Sequence, residues 1–502
     1  MMKKRKFMRF VSMLSILSCL LFVLPVFSAC SNAENKEGGN APETKNDIPA
    51  DDAGALPEGS DIPPEIPAKD MGGKNIKILT AEWGDYTPLH VEDIVSEQLT
   101  GEPLNDAAYN RQITIEEAYN CEIVRIAEKD SSEAAKKLQR SVLAQDDSYD
   151  IALIRGREFA QLIPGNYLYD LNELRYFGIN NPWWKKNAYD ALAIGGKHFG
   201  VCGDFSTTEM KAVWTACFNK AMIQENGMES PYNLVKEGTW TLSKAAEMAK
   251  QVARDLDGND KMNAKDLWGI NYTYDTVIGV LNAGGVKIAE LDPEGIPGIT
   301  IDTAANISKI QNIFELLFNR EYSADTLSAP ISLSGQDGKI FGEGNCLFIF
   351  AAAHNVNELR AMDTDFGIIP YPKYDESQPN YLPGTCGIFL TIACVPKSNA
   401  DTENTSLFME AFAREGGKTV VSAFYDTILK NKMARDVDSE EMLDYIFGNI
   451  IFDAGNLFNF GGFTVDLCNM SQKTDTNIAS FIEKNKPVME AAIANILDEI
   501  SK

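Results

Sequence analysis

Hydrophobic and polar positions divide the chain into three regimes: an apolar run over 10–27, a polar stretch over 31–73 with almost nothing to bury, and periodic sequence from residue 74 onward. In the periodic part the alternation over 75–80 predicts a strand. Residues 105–119 set Ala108, Ile115, Ala118 and Tyr119 on one helical face, 122–126 reads as a second strand, 131–144 as a second helix and 149–154 as a third strand. Strands alternating with helices predict α/β layering around a largely parallel sheet, whose ligands bind beyond the carboxyl ends of the strands. That rule points at Trp83, Asp85 and Tyr86 after the first strand and at Arg155 and Arg157 after the third.

The apolar run is preceded by Lys3, Lys4, Arg5, Lys6 and Arg9 and followed by Ser28-Ala29-Cys30. A basic segment, an apolar segment and a small-residue cleavage site form a secretory signal, and a cysteine at the first mature position is what lipid attachment requires. Residues 1–29 are expected to be a lipoprotein signal peptide, with Cys30 the lipidated residue and 30–73 a disordered tether. Cys19 is a rival that lies inside the apolar run. The expected location is the extracellular face of the cell membrane, on a lipid anchor. The rest of the chain exceeds what one compact domain usually holds, so two domains are expected. The whole chain has a net charge of −26, and without the five basic residues of the signal the remainder is more acidic still, which argues against nucleic acid as a partner.

The blocks Asn181-Pro182-Trp183-Trp184, Gly195-Gly196-Lys197-His198-Phe199-Gly200, Cys217-Phe218-Asn219-Lys220, Gly238-Thr239-Trp240-Thr241-Leu242, Phe341-Gly342-Glu343-Gly344-Asn345 and Asp365-Phe366-Gly367-Ile368-Ile369-Pro370 follow one another in an informative order. In that order the chain resembles the extracellular solute-binding proteins of bacterial ABC importers, especially the family 1 carbohydrate-binding group that includes maltose-binding protein. The resemblance implies a two-lobed periplasmic-binding-protein-like fold of type II, with a ligand cleft between discontinuous lobes. On that basis 74–205 and 346–388 form lobe 1, and 206–345 and 389–502 form lobe 2, with crossings near 204–210, 345 and 387. It implies a monomer that captures a small solute, most simply an oligosaccharide, and hands it to permease subunits. It also places Asp204, Trp214, His354 and Asn355 near the cleft. Sugars present apolar C–H faces and hydroxyl edges, which suits aromatic rings beside carboxylate, amide and guanidinium groups. Arg155 and Arg157 keep a second reading open, a peptide or amino-acid ligand held by its carboxylate.

Residues 255–266 (DLDGNDKMNAKD) are the sharpest chemical motif. Asp255, Asp257, Asn259, Asn263 and Asp266 supply side-chain oxygens, and Lys261 a carbonyl, at the spacing of an EF-hand-type calcium loop. Position 6 is Asp260 where glycine is usual, and position 12 is aspartate instead of glutamate, as in dockerin modules. A single loop predicts a structural Ca²⁺ that clamps a helix to a strand. With only His90, His198 and His354, and no nucleophile elbow, HExxH or phosphate loop, the chain is read as a non-enzyme. A surface-anchored glycoside hydrolase, which needs only two carboxylates, is the rival catalytic reading, and an adhesin or scaffold a further one. The seven cysteines after Cys30 show no metal spacing and are expected to be small buried thiols.

Overall fold

The first predicted strand forms over Lys74–Ala81 (β1) in the computed structural model, which describes residues 66–83, 90–325, 339–356, 359, 362–387, 389–426, 436–448, 450–473 and 476–502. The expected signal peptide, Cys30, the tether as far as residue 65, and Asp85 and Tyr86 lie outside the described residues. Helix α1 (Pro103–Tyr119) opens on a proline with the Glu102 carboxylate accepting from the amides of Leu104 and Asn105, and it ends on Asn120 in the left-handed conformation. Then come β2 (Cys121–Glu128), α2 (Ser131–Ala144), capped by Asp130, β3 (Ile151–Arg155) and α3 (Gly156–Leu162). β1 pairs in parallel with both β2 and β3, as the alternation of strands and helices predicts. The two-residue period of β1 divides its side chains between two cores. Ile76 and Ile78 pack with Ile123, Ile151 and Leu153, whereas Leu79 and Ala81 face the other way with Ala152 and Ile154.

Beyond α4 (Lys186–Ala191) the chain leaves this lobe through a first crossing, 203–213, which contains the one-turn helix α5 (Thr208–Lys211). The second lobe is built from β4 (Trp214–Asn219), α6 (Leu242–Val252), β5 (Trp268–Tyr272), β6 (Ser323–Asp325), β7 (Cys346–Ala352), α7 (Ala353–Val356) and β8 (Phe366–Ile369). Its strand order is β6-β5-β7-β4-β8, with β4 antiparallel to both neighbours. Every residue of β4, β5 and β7 is buried, which is why these strands read as apolar runs and not as alternations.

A second crossing, 370–390, returns the chain to the first sheet as β9 (Thr391–Cys394), antiparallel to β3, giving the order β9-β3-β1-β2. Helix α8 (Thr402–Gly416) then covers that sheet, its Leu407, Phe408 and Phe412 sharing a core with Ile76 and Ile78. A π-helical turn over Gly417–Val421 begins the third crossing. The chain continues with α9 (Val437–Phe447), packed on β8, α10 (Ala454–Phe458), packed on α3, α11 (Phe463–Lys473) and α12 (Ile478–Ile500).

Lobe membership therefore differs from the sequence expectation. β7 and β8, expected in lobe 1, belong to the second sheet, and β9 and α8, expected in lobe 2, belong to the first. The return expected near 345 is internal to the second lobe, where the Asn345 carbonyl accepts from Trp268 N at 2.9 Å. Strand partners far apart in sequence settle sheet membership, and local periodicity carries no record of them. The seven cysteines after Cys30 are all buried, as expected. Among the described residues no helix is long and apolar enough to cross a membrane.

Candidate functional site at the lobe junction

Trp83 and Arg155 stand at the carboxyl ends of β1 and β3, and the structure brings them together. The Arg155 guanidinium lies over the Trp83 ring at 4.0 Å, while Phe389 of the second crossing meets the same ring edge-on with centroids 4.8 Å apart. Gly156 permits the crossing to come this close, because a Cβ there would stand 2.0 Å from the Gly387 carbonyl oxygen. Buried Glu158 accepts from Arg155 Nε at 3.1 Å and Nη2 at 3.2 Å, and from Arg157 Nε at 3.0 Å. Arg155 is thus committed to partners within the protein and covers one face of Trp83, whereas the single Glu158 carboxylate balances only one of the two arginine charges. Sequence reasoning named the arginines but missed Glu158 and Phe389. The spacing of Arg155 and Glu158, three apart at a helix start, was the available signal.

Asp204 lies in the first crossing, 4.0 Å from the Lys185 ammonium. Burial raises its pKa to about 6, against the pull of Lys185 and Arg111. Glu209 on α5 is more deeply buried, and burial raises its pKa to about 7, opposed by Lys185 and reinforced by Asp204. No hydrogen-bond donor among the described residues reaches Glu209 Oε2. Sequence reasoning passed over Lys185 and Glu209, although the latter lies within the stretch expected to cross between lobes.

His354 and Asn355 begin the turn after β7. The Lys211 carbonyl can only accept, so His354 Nδ1 carries the proton and donates to it at 3.0 Å. Burial lowers the His354 pKa to about 4, which keeps the ring neutral. Buried Asn355 accepts from the Ala352 amide at 3.2 Å through Oδ1, holding the turn. Trp214 is corrected: it is 1% exposed and packs in the core beside Gly279 and Tyr371, because β4 is an interior strand with both faces covered. Trp183, Trp184, Trp240 and Trp268 are buried, the indole N–H of Trp240 donating to the Pro370 carbonyl.

The 255–266 loop lies away from the junction, between α6 and β5. Asp255, Asp257 and Asp266 bring one carboxylate oxygen each within 4.8 Å of the others. Asp255 accepts from the amides of Asp257, Gly258 and Asp260, and Asp260 has φ of 60°, the left-handed conformation that glycine normally supplies there. Burial opposes ionisation of Asp255, but the Gly258 and Asp260 amides outweigh it and lower its pKa. Asp266 is fully buried and accepts from Leu256 N and Asn263 N, which ties the loop ends together. Asn259 and Asn263 side chains accept from Lys261 N and Lys265 N, and the Lys261 carbonyl accepts from Asn263 Nδ2 at 3.3 Å.

No protein-family profile matches the chain, and no curated protein matches it. Solved structures do. A substrate-binding protein of an ABC system from Listeria monocytogenes, in complex with cycloalternan, aligns over 86% of this chain and 99% of its own, with 13% identity and a TM-score of 0.52. A cyclo/maltodextrin-binding protein complexed with maltotetraose aligns over 86% and 97%, with 12% identity and a TM-score of 0.53. UgpB from Mycobacterium tuberculosis, in complex with glycerophosphocholine, aligns over 86% and 100%, with 16% identity and a TM-score of 0.54. At these identities the likeness is one of architecture, and the chain has the two-lobed α/β fold of the periplasmic solute-binding proteins.

Proposed function

We propose that this chain is the substrate-binding subunit of an ABC importer, anchored through a lipid on Cys30 at the extracellular face of the membrane. It takes an oligosaccharide between its lobes and delivers it to permease subunits. The observation that carries this reading is the two-lobed fold, in which Trp83, Arg155 and Phe389 stand together at the second crossing and the His354 turn is bonded to the first. Such a protein works by shifting between lobe arrangements and makes or breaks no covalent bond. Arg155 is committed to Glu158 and to the Trp83 ring, which favours a neutral ligand there, while the positive charge that one carboxylate leaves on the pair keeps a peptide or amino-acid carboxylate as the second reading. The 255–266 loop is proposed as a structural Ca²⁺ site, with Asp255, Asp257, Asn259, the Lys261 carbonyl, Asn263 and Asp266 as ligands.

Thermal unfolding of the full chain with maltotetraose, a cyclic oligosaccharide, an oligouronate, a tripeptide and glycerophosphocholine tests the reading. A ligand at about 100 times its Kd adds about 2.7 kcal/mol, an upward shift of a few degrees. A shift with a sugar and no product on prolonged incubation is the expected result. Product formation would assign a hydrolase, a shift with the tripeptide alone would assign a peptide carrier, and no shift at all would overturn the importer assignment.

A further inference from the structure

The first and third crossings meet at a charged cluster. Gly416 and Gly417 pack directly on Asp204: a Cβ on the former would lie 1.9 Å from the Asp204 carbonyl oxygen, and one on the latter 2.5 Å from Oδ2. The residues around Asp204 are fixed to the first lobe. Its amide donates to the Trp183 carbonyl at 2.8 Å, Arg111 Nη1 donates to the Phe205 carbonyl at 2.9 Å, and the Asp93 carboxylate accepts from Ser206 Oγ and from Thr207 N and Oγ1. Lys185 is fixed likewise, its amide donating to the Cys202 carbonyl at 3.1 Å. Glu209 sits on the one-turn helix α5, which Lys211 Nζ ties to the first lobe at the His90 carbonyl and which the Lys211 carbonyl ties to His354 of the second; the glycines that cover Asp204 begin the crossing that leads on to the second lobe, so a change in lobe angle moves that cover relative to Asp204.

We propose that Lys185, Asp204 and Glu209 form a proton-operated latch on the lobe angle: protonation of the two carboxylates favours the arrangement in which the crossings pack around them, and ionisation favours one in which they are solvated. One lysine faces two acids here, and the inner acid has an oxygen without any donor among the described residues. A buried carboxylate so placed is costly when charged and cheap when neutral. The groups facing the cluster are few. Glu209 is met by Lys185, Asp204 and the Cys202 thiol, and Asp204 by Lys185 and Arg111, which Asp93 and Glu415 also face. Lys211, on the same turn as Glu209, donates from Nζ to the His90 carbonyl, and His354 is bound to the Lys211 backbone.

The sign follows from burial, which raises both acids, to about 6 for Asp204 and about 7 for Glu209. The packed arrangement holds more protons than a solvated one between the ordinary carboxylate range and neutrality, so it loses ground as pH rises through these values.

The test needs no ligand and so stands apart from the importer reading. Nitroxides on Lys136→Cys in the first lobe and Lys244→Cys in the second report the interlobe distance by pulsed electron resonance. Between pH 5 and 8.5 a second distance population is expected to grow with a midpoint between 6 and 7, and to be lost in Asp204→Asn/Glu209→Gln. If that double variant does not fold, Lys185→Gln, at a partly exposed position, serves instead: removing the cation moves the midpoint to higher pH. A distance distribution unchanged over the pH range overturns the proposal, as does a transition that persists in the double variant or a midpoint unmoved by Lys185→Gln.

Discussion

Glu410 is a single carboxylate with four donors, and it shows how much one residue can hold in this fold. It accepts from Gly178 N at 2.9 Å, Asn181 Nδ2 at 2.6 Å, Trp183 Nε1 at 2.9 Å and Trp184 Nε1 at 2.8 Å. Glu410→Ala strands these groups, the two indole N–H groups among them buried, and is expected to cost about 3 kcal/mol or more. A lowered urea midpoint with unchanged m would show it, and Glu410→Gln, which keeps one accepting oxygen, should fall between. Nothing in the sequence marks Glu410, because acidic residues are abundant along the chain and those that become buried look like those that stay in water. The same holds for Glu158 and Glu209. Trp83 and Arg155 were legible as junction residues because each follows a strand with a clear period, whereas Trp214 misled because a tryptophan at a crossing reads the same whether it faces a cleft or a core.

At the scale of elements, what was legible was local. The first three strands and the helices between them follow from alternation, helical spacing and caps such as Glu102 and Asp130, all contained within a few residues. The 255–266 loop is local too, and its left-handed Asp260 takes the conformation that the missing glycine required. If the loop holds calcium, chelation should lower the unfolding temperature by several degrees, with Ca²⁺ but not Mg²⁺ restoring it. Asp257→Asn keeps an oxygen to accept from Asn259 N but removes a charge, so it should reduce the response to chelation without disturbing the turn. Unfolding indifferent to both chelator and calcium would remove the metal from this loop.

For the whole molecule, sequence reading reached the fold class and the existence of crossings but assigned the strands after residue 345 to the wrong lobes. β9 and α8 return to the first lobe after the second has been laid down, and that order is visible only in the pairing of β9 with β3 and in the packing of α8 over Ile76 and Ile78. A chain stopped after residue 380 lacks both, leaves one face of the first sheet bare, and is expected to show no cooperative unfolding transition, whereas a chain folding normally at that length would contradict this account of the first lobe. The returning segment also sets a timetable for synthesis. The lobe begun first cannot be closed until residue 416 has left the ribosome, so most of the polypeptide is made while its opening domain is unfinished.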